Sequence, residues 1–507
     1  MKKAKNKPFL SSYALALLSS VLMFVGFAGI DLWPFALVAF VPLLFAFEHE
    51  APKGHLAIIK IGLVNGFVAI FGGYYWLIHV LQRFSGFPLP LCVLLASILV
   101  VQMAGLFVLL AWLYARLVQR GLSATAALLI SGISAEFIYP LLFPYYYSAS
   151  FHSVPLLMQS ADIGGPLLVS GLCFLINGTL YETLKRLKNK DASAWQRLAL
   201  QGGLVALFLV YGAVRIQQND ALVAKAPKIN VGMVQGNMGL LSKRNDPFEG
   251  LRRHHRLSEK LEEQSKLDLL VWPESAYAFS IPENMHNVKR AVMGSIDTPM
   301  LFGAVSRRSS ADEQQVFNTA FITNQEGDIL GSYDKTYLLA FGEYLPFGDT
   351  FPILYKWSPN SGHFTKGSSL HSLPFGKWRI GTLICYEDIL PSFVRKLVNA
   401  DNPHLLVNIS NDAWFGKTTE PWEHLALAKF RAIEHRRFLV RSTNSGISAF
   451  VDPVGRLIKH TELFKEQAIQ NQVAMLQGRS LYSYAGEWPG WLSLLLAAFF
   501  LRPRSKR

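Results

Sequence analysis

Up to residue 220 the chain is a succession of long apolar runs, and beyond it the pattern changes. A helix needs roughly 20 apolar residues to cross a bilayer core of about 30 Å. Seven stretches approach or exceed that length: 10–29, 32–48, 57–80, 88–115, 122–143, 164–183 and 198–216. An eighth, "WPGWLSLLLAAFFL" at 488–501, is short for a span. Trp residues at one end and Arg502 at the other are interfacial anchors, so it is read as a span too.

Between 222 and 486 the texture is that of a layered α/β domain. Short β-rich runs recur: "INVGMVQ" (229–235), "LDLLVWP" (267–273), "PMLFGAVS" (299–306), "FNTAFIT" (317–323), "WRIGTLICY" (378–386), "HLLVNIS" (404–410), "FLVRST" (438–443) and "ISAFVD" (447–452). Amphipathic helical patterns fall between them, as in "PFEGLRRHHRLSEKLEEQSK" and "PWEHLALAKFRAIEHRR". "NQEGD" and "DPVGR" read as turns joining strands.

Composition agrees with a membrane part joined to a soluble part. Of 507 residues 51% are hydrophobic and 17% charged, too apolar for a soluble protein and too charged for spans alone. The net charge of +14 does not point to nucleic acid, because much of the excess flanks apolar runs: "MKKAKNKP", "KRLKNKDASAWQR" and "RPRSKR". With the N-terminus inside, the cytoplasmic loops hold Lys53, Arg116, Arg120, Lys185, Arg186, Lys188 and Lys190, whereas the opposite loops hold only Arg83. Seven spans then put 222–486 outside the cytoplasm, and the eighth returns the tail inside. The first run has a basic leader like a signal peptide but no clear small-x-small cleavage site, and is read as retained.

The chain has three cysteines. Cys92 and Cys173 lie in apolar runs, which leaves Cys385 without a disulfide partner or a CxxC zinc pattern. A Cys ending a buried strand is ordinarily a small core hydrophobe, a Glu after a strand a solvated loop residue, and a Lys a surface charge. Cys385, Glu274 and Lys335 nevertheless all sit at or just beyond strand ends, where a layered α/β domain carries its chemistry. Together they supply one scheme: a carboxylate takes the thiol proton, the sulfur attacks a carbonyl, and an ammonium holds the oxyanion. Glu343 is a second carboxylate able to orient the lysine. Lys243 is assigned to a solvated loop.

"VWPES", "YDKTYLLAFGEYLPF", "LICYED" and "VNISNDAWFG", in this order, resemble the Glu–Lys–Cys signatures of the nitrilase superfamily. Seven spans before that domain and one after it resemble, more narrowly, its membrane-embedded branch, the apolipoprotein N-acyltransferases. "MVQGN", "FNTA", "PWEH" and "RSTNSGISAFVDPVGR" add to the likeness, which covers nearly the whole chain. The resemblance implies Glu274 as general base, Lys335 as oxyanion stabiliser and Cys385 as nucleophile, with Glu343, Tyr386, Glu387 and Asn318 in support. It implies an αββα sandwich at 221–486 beside a polytopic helical membrane domain of about eight spans, made of 1–220 and 487–507. It also implies no cofactor and no metal. The reaction would carry a phospholipid acyl chain through a cysteine thioester to the α-amine of a diacylglyceryl-cysteine apolipoprotein, in a monomer of the bacterial inner membrane with its catalytic domain on the periplasmic side. Two tryptophans common in the family are missing, after "FP" at 143–144 and after "MVQGN", which leaves the lipid contacts open.

Elementary energetics fit a site at the bilayer. Moving a 16-carbon chain into water costs roughly 12 kcal/mol at about 0.8 kcal/mol per methylene. The aromatic runs "LLAFGEYLPFGDTFPILYKW" and "LFPYYYS" are therefore candidate lipid-facing segments. Two other readings stay open: a membrane-tethered amidase or nitrile hydrolase sharing every catalytic residue, and a transporter or receptor. Against the latter, the spans hold few ionisable residues, Glu136 being the main exception, and no repeat is visible.

Overall fold

The computed structural model describes residues 10–189, 191, 193–239, 246–309, 314–357 and 361–503. The terminal basic clusters fall partly, and Lys190 and Lys243 wholly, outside them. The described residues form two compact units, one running to Ile78 and comprising also Pro88–Ala213 and the residues from Glu487, the other comprising His79–Phe87 and Val214–Gly486.

The first unit is helical. Its helices are α1 (Ser12–Val25), α2 (Phe40–Glu50), α3 (His55–Gly73), α4 (Trp76–Ser85, which begins there), α5 (Leu89–Gln119), α6 (Ala124–Ile138), α7 (Ala161–Lys188), α8 (Ala194–Lys225, which also begins there) and, near the C-terminus, α12 (Trp488–Leu501). Five segments are long and apolar enough to cross a membrane: Trp33–Lys53, His55–Gly73, Leu89–Gln119, Ala161–Lys188 and Trp195–Lys225. Helices α1, α6 and α12 are apolar but shorter. Helix α6 stops at Ile138, ahead of the expected 143, because Pro140 and Pro144 cannot extend it. The expected run to residue 80 breaks after Gly73, where Gly72 and Gly73 weaken the helix end, and α4 starts afresh. Helices α3 and α5 approach closely through glycine: a Cβ on Gly62 would lie 2.6 Å from that of Ala111. Glu136 has a structural partner, since its Oε1 accepts the Tyr147 amide at 2.9 Å.

The second unit has four layers. One sheet has the order β13-β1-β2-β4-β5-β6, with β3 (Ser280–Pro282) paired to β4. Its strands are β1 (Lys228–Gln235), β2 (Leu269–Val271), β4 (Met300–Ser309), β5 (Gln314–Thr323), β6 (Ile329–Asp334) and β13 (Gln467–Ala474). The other has the order β12-β11-β10-β9-β8-β7, built from β7 (Leu373–Phe375), β8 (Trp378–Ile384), β9 (Leu405–Ser410), β10 (Leu439–Thr443), β11 (Ala449–Val451) and β12 (Leu457–His460). Period-two alternation explains the layering. In β9, Leu405, Val407 and Ile409 join Val231, Val271 and Leu301 of the first sheet in a core between the sheets. Leu406, one residue out of phase, packs instead with Val394 of α10 (Pro391–Asp401) and Leu425 of α11 (Glu420–His435). Helix α9 (Pro247–Gln264) covers the outer face of the first sheet through Leu261, beside Leu270 and Trp272. This is the αββα sandwich.

Candidate active site

Parallel pairing of β1, β2 and β4, and of β8, β9 and β10, aligns their C-terminal ends, and the candidate groups lie there. Strand β2 ends as Pro273 withdraws its N–H from the ladder, and Glu274 follows, buried. Gly303 of β4 lies directly beneath: a Cβ there would stand 2.7 Å from the Glu274 Cα and 2.8 Å from the Ser275 amide. Asn318 of β5 donates from Nδ2 to Glu274 Oε1 at 2.6 Å and to Glu343 Oε1 at 3.1 Å. The Asn318 carbonyl also accepts the Lys335 amide at 2.8 Å, so one residue ties Glu274 and Lys335 together.

Lys335 is 1% exposed at the end of β6. Its Nζ stands 2.8 Å from Glu343 Oε2 and 4.0 Å from Glu274 Oε1. Burial works against charge on this ammonium, but Glu343, the Cys385 sulfur and Glu274 more than offset it and raise its pKa. Glu343 is fixed in turn by the Leu339 amide at 2.8 Å. Asp334, just before the lysine, is clamped by Arg308 through two hydrogen bonds of 2.6 and 2.9 Å.

Cys385 follows β8 on a sharp turn, with φ of +52°. A left-handed backbone costs a residue with a Cβ roughly 1–2 kcal/mol. That strain lifts the side chain out of the strand. Burial pushes the Cys385 thiol well up, Glu274, Glu343 and Asp412 add to the effect, and Lys335 opposes it. A thiol so placed would need a neighbouring base to act as a nucleophile.

Glu387, wholly buried, joins the Cys385 turn to the Lys335 loop. Its Oε1 accepts from Tyr333 Oη, the Thr336 amide and hydroxyl and the Tyr337 amide, and its Oε2 accepts the Ile384 amide, five bonds of 2.8–3.3 Å. Burial pushes its carboxyl up to about 7. Tyr386 stacks on Tyr337 with ring centroids 5.8 Å apart. Glu274, Lys335, Cys385, Glu343, Asn318 and Glu387 thus form one connected constellation, with Tyr386 against its edge.

Behind the turn lies a buried ion network that the sequence reading did not assign. Arg441 of β10 donates to Asp388 at 2.9 Å, to Asp412 at 2.9 Å and to the side chain of Asn408 at 2.8 Å. His424 of α11 pairs with Asp388 at 2.7 Å, and Glu420 is 3.5 Å from its other ring nitrogen. The available signal was a polar residue within an otherwise apolar strand, Asn408 in "LLVNIS" and Arg441 in "LVRST", on the face turned to the helices, since buried charge is rare unless paired. Among the described residues no cluster of three His, Cys, Asp or Glu is placed to hold a metal ion.

The two candidate lipid-facing runs differ. In the loop carrying Glu343, Phe341, Phe347 and Phe351 are more than half exposed. In "LFPYYYS", Tyr145 and Tyr147 are buried, stacked on Phe27 at 5.1 Å and edge-on to Phe40 at 5.0 Å, so that run is packed.

Residues 230–481, which hold Glu274, Lys335 and Cys385, match a family model described as "Carbon-nitrogen hydrolase". Residues 19–179 match "Apolipoprotein N-acyltransferase N-terminal domain". An apolipoprotein N-acyltransferase of Geobacter metallireducens is 31% identical over 96% of this chain and 94% of its own, and one of Azotobacter vinelandii is 30% identical over 97% and 95%. The crystal structure of Saccharomyces cerevisiae Nit3, of the nitrilase superfamily, is 16% identical, with a TM-score of 0.38 over 51% of this chain and 93% of that one. The chain belongs to the apolipoprotein N-acyltransferase family, whose members are membrane acyltransferases.

Proposed function

We propose that the protein transfers a fatty acyl chain from a phospholipid to the N-terminal amine of diacylglyceryl-cysteine lipoproteins, with Cys385 as nucleophile, Glu274 as base and Lys335 as oxyanion stabiliser. The carrying observation is the buried Lys335 ammonium, 2.8 Å from Glu343 and 4.0 Å from Glu274, in electrostatic reach of the Cys385 sulfur. Glu274 takes the thiol proton as sulfur bonds to the ester carbonyl carbon. Lys335 holds the oxyanion. As the C–O bond breaks, Glu274 returns the proton to the departing lysophospholipid alkoxide, leaving a thioester. The acceptor amine then attacks, Glu274 removes its proton, and the C–S bond breaks to regenerate the thiol. Asn318 and Glu343 hold the base and the cation in place. Glu387 and Tyr386 set the nucleophile turn.

The charge asymmetry supports eight spans with residues 221–486 on the periplasmic face of the inner membrane, the helical domain being 1–220 and 487–507. The chain works as a monomer. The exposed aromatic loop at 338–357 fits contact with lipid.

Incubating detergent-purified protein with phospholipid alone tests this. One fatty-acyl mass should appear on the Cys385 peptide, with a burst of one lysophospholipid per site. A diacylglyceryl-cysteine peptide with a free amine should discharge it, and the N-acetylated peptide should not. Glu274→Gln should abolish the adduct. Steady fatty-acid release without acceptor would instead establish the amidase-like hydrolase reading.

A further inference from the structure

Cys385 needs something to hold its left-handed turn, because its own backbone geometry is unfavourable. Two devices reach the turn. Glu387 grips the amide of Ile384 on its near side. On its far side the carbonyl of Cys385 itself accepts from Asn408 Nδ2 at 3.1 Å, and the same NH2 group lies 3.4 Å from the Leu383 carbonyl. Asn408 therefore bridges the strand end and the nucleophile's own peptide.

An amide held only by that bridge could rotate. Here it cannot, because Asn408 Oδ1 accepts from Arg441 Nη1, and Arg441 is fixed by a carboxylate on each of its two terminal nitrogens, Asp388 on Nη1 and Asp412 on Nη2. Asp388 belongs to the nucleophile turn itself, three residues after Cys385. Asp412 follows β9 and is held by Ser410 Oγ at 2.8 Å. Asn408, Asp388, Asp412 and Arg441 are all completely buried. A buried ion network of this kind is weak as a stabiliser, since apolar replacements of similar volume often do as well. Its directional bonds do, however, fix an orientation.

We infer that Asn408, locked by the Arg441–Asp388–Asp412 network, is a positioning residue that aims the Cys385 sulfur for acyl transfer. This rests on Cys385 being the nucleophile. The sulfur must approach a carbonyl carbon whose oxygen is directed at Lys335, and an error of about 1 Å in such an approach can cost about 10²-fold. A small alkylating reagent carries no such requirement.

The test compares two reactions of the same thiol in full-length protein purified from membranes. In Asn408→Leu, single-turnover acyl-enzyme formation from phospholipid should fall about 10²-fold with KM for phospholipid unchanged within about twofold, while the iodoacetamide rate falls less than about threefold. Rates are expressed per thiol titrated, so loss of folded protein alone moves neither. Normal acylation per titrated thiol, or an equal fall in both reactions, would overturn the inference. If Asn408→Leu does not accumulate, Asp388→Asn, which matches the native side chain in size but lacks its charge, should show the same split at about tenfold, and its absence there would equally overturn it. Cys385→Ala separates the two levels: an active Cys385→Ala removes the parent reading, whereas an inactive one beside a normal Asn408→Leu removes only the positioning role.

Discussion

Lys335 stands 2.8 Å from Glu343 and 4.0 Å from Glu274, so the two carboxylates beside the ammonium are not equivalent. Glu343 makes the close ion pair, and Glu274, the more distant carboxylate, accepts from the Asn318 amide at 2.6 Å. Lys335→Arg keeps the charge but replaces a point donor by a planar fork too large for a fully enclosed position. Acyl-enzyme formation should fall by at least about 10² while folded protein is still recovered. Near-normal turnover, measured as lysophospholipid burst, would exclude Lys335 as the oxyanion group.

Gly303 supplies a test of the base that leaves every polar group intact. Gly303→Ala places a Cβ 2.7 Å from the Glu274 Cα, closer than such contacts occur, so the Glu274 backbone must move. We expect a loss of about 10² in acylation rate, with the thiol still alkylated by iodoacetamide. An unchanged acylation rate would mean that the position of Glu274 does not matter.

Glu387 separates folding from chemistry. Glu387→Ala leaves the amides of Ile384, Thr336 and Tyr337 buried without their acceptor. At about 1–3 kcal/mol for each such group, folded protein should be lost from membranes. Glu387→Gln keeps one carbonyl oxygen and should accumulate, with its acylation rate lowered. Equal thermal midpoints for Glu387→Ala and wild type would refute the staple.

His424 gives the pH dependence. Burial and Arg441 lower its pKa, but Asp388 and Glu420 outweigh them and raise it to about 9. A raised cationic group stabilises fully below its unfolded value of about 6.5 and loses that contribution as pH climbs through about 9. Thermal inactivation of the detergent-solubilised protein should therefore ease downward in midpoint between pH 6.5 and 9, and His424→Gln should flatten that limb. A slope unaltered by the substitution would assign it to another group.

Topology is tested independently. A reporter active only outside the cytoplasm should work when fused near residue 225 and fail near residue 190. The reverse would place Cys385 in the cytoplasm and end the lipoprotein reading.

Much of this was legible in the chain because its signals are local. The strands β1, β9 and β10 follow alternating apolar runs within a residue or two of their expected limits, and the ends of two other such runs, those of β2 and β8, pointed to Glu274 and Cys385. The short strands β3, β7 and β12 carried no such run, for a three- or four-residue strand is specified by its neighbours rather than by its own sequence. The Arg441 network was invisible for a different reason. Its members come from five separate elements, and nothing in "LVRST" says which acids the arginine meets.

The positive φ of Cys385 sets activity against durability. Glycine alone takes that backbone without steric cost. With Cys385 as the proposed nucleophile, a chain selected only to endure would place glycine at 385, giving a sturdier protein without that reaction. On the proposed reading, Cys385→Gly should thus outlast the active chain on heating, so resistance to heat is what the reaction gives up.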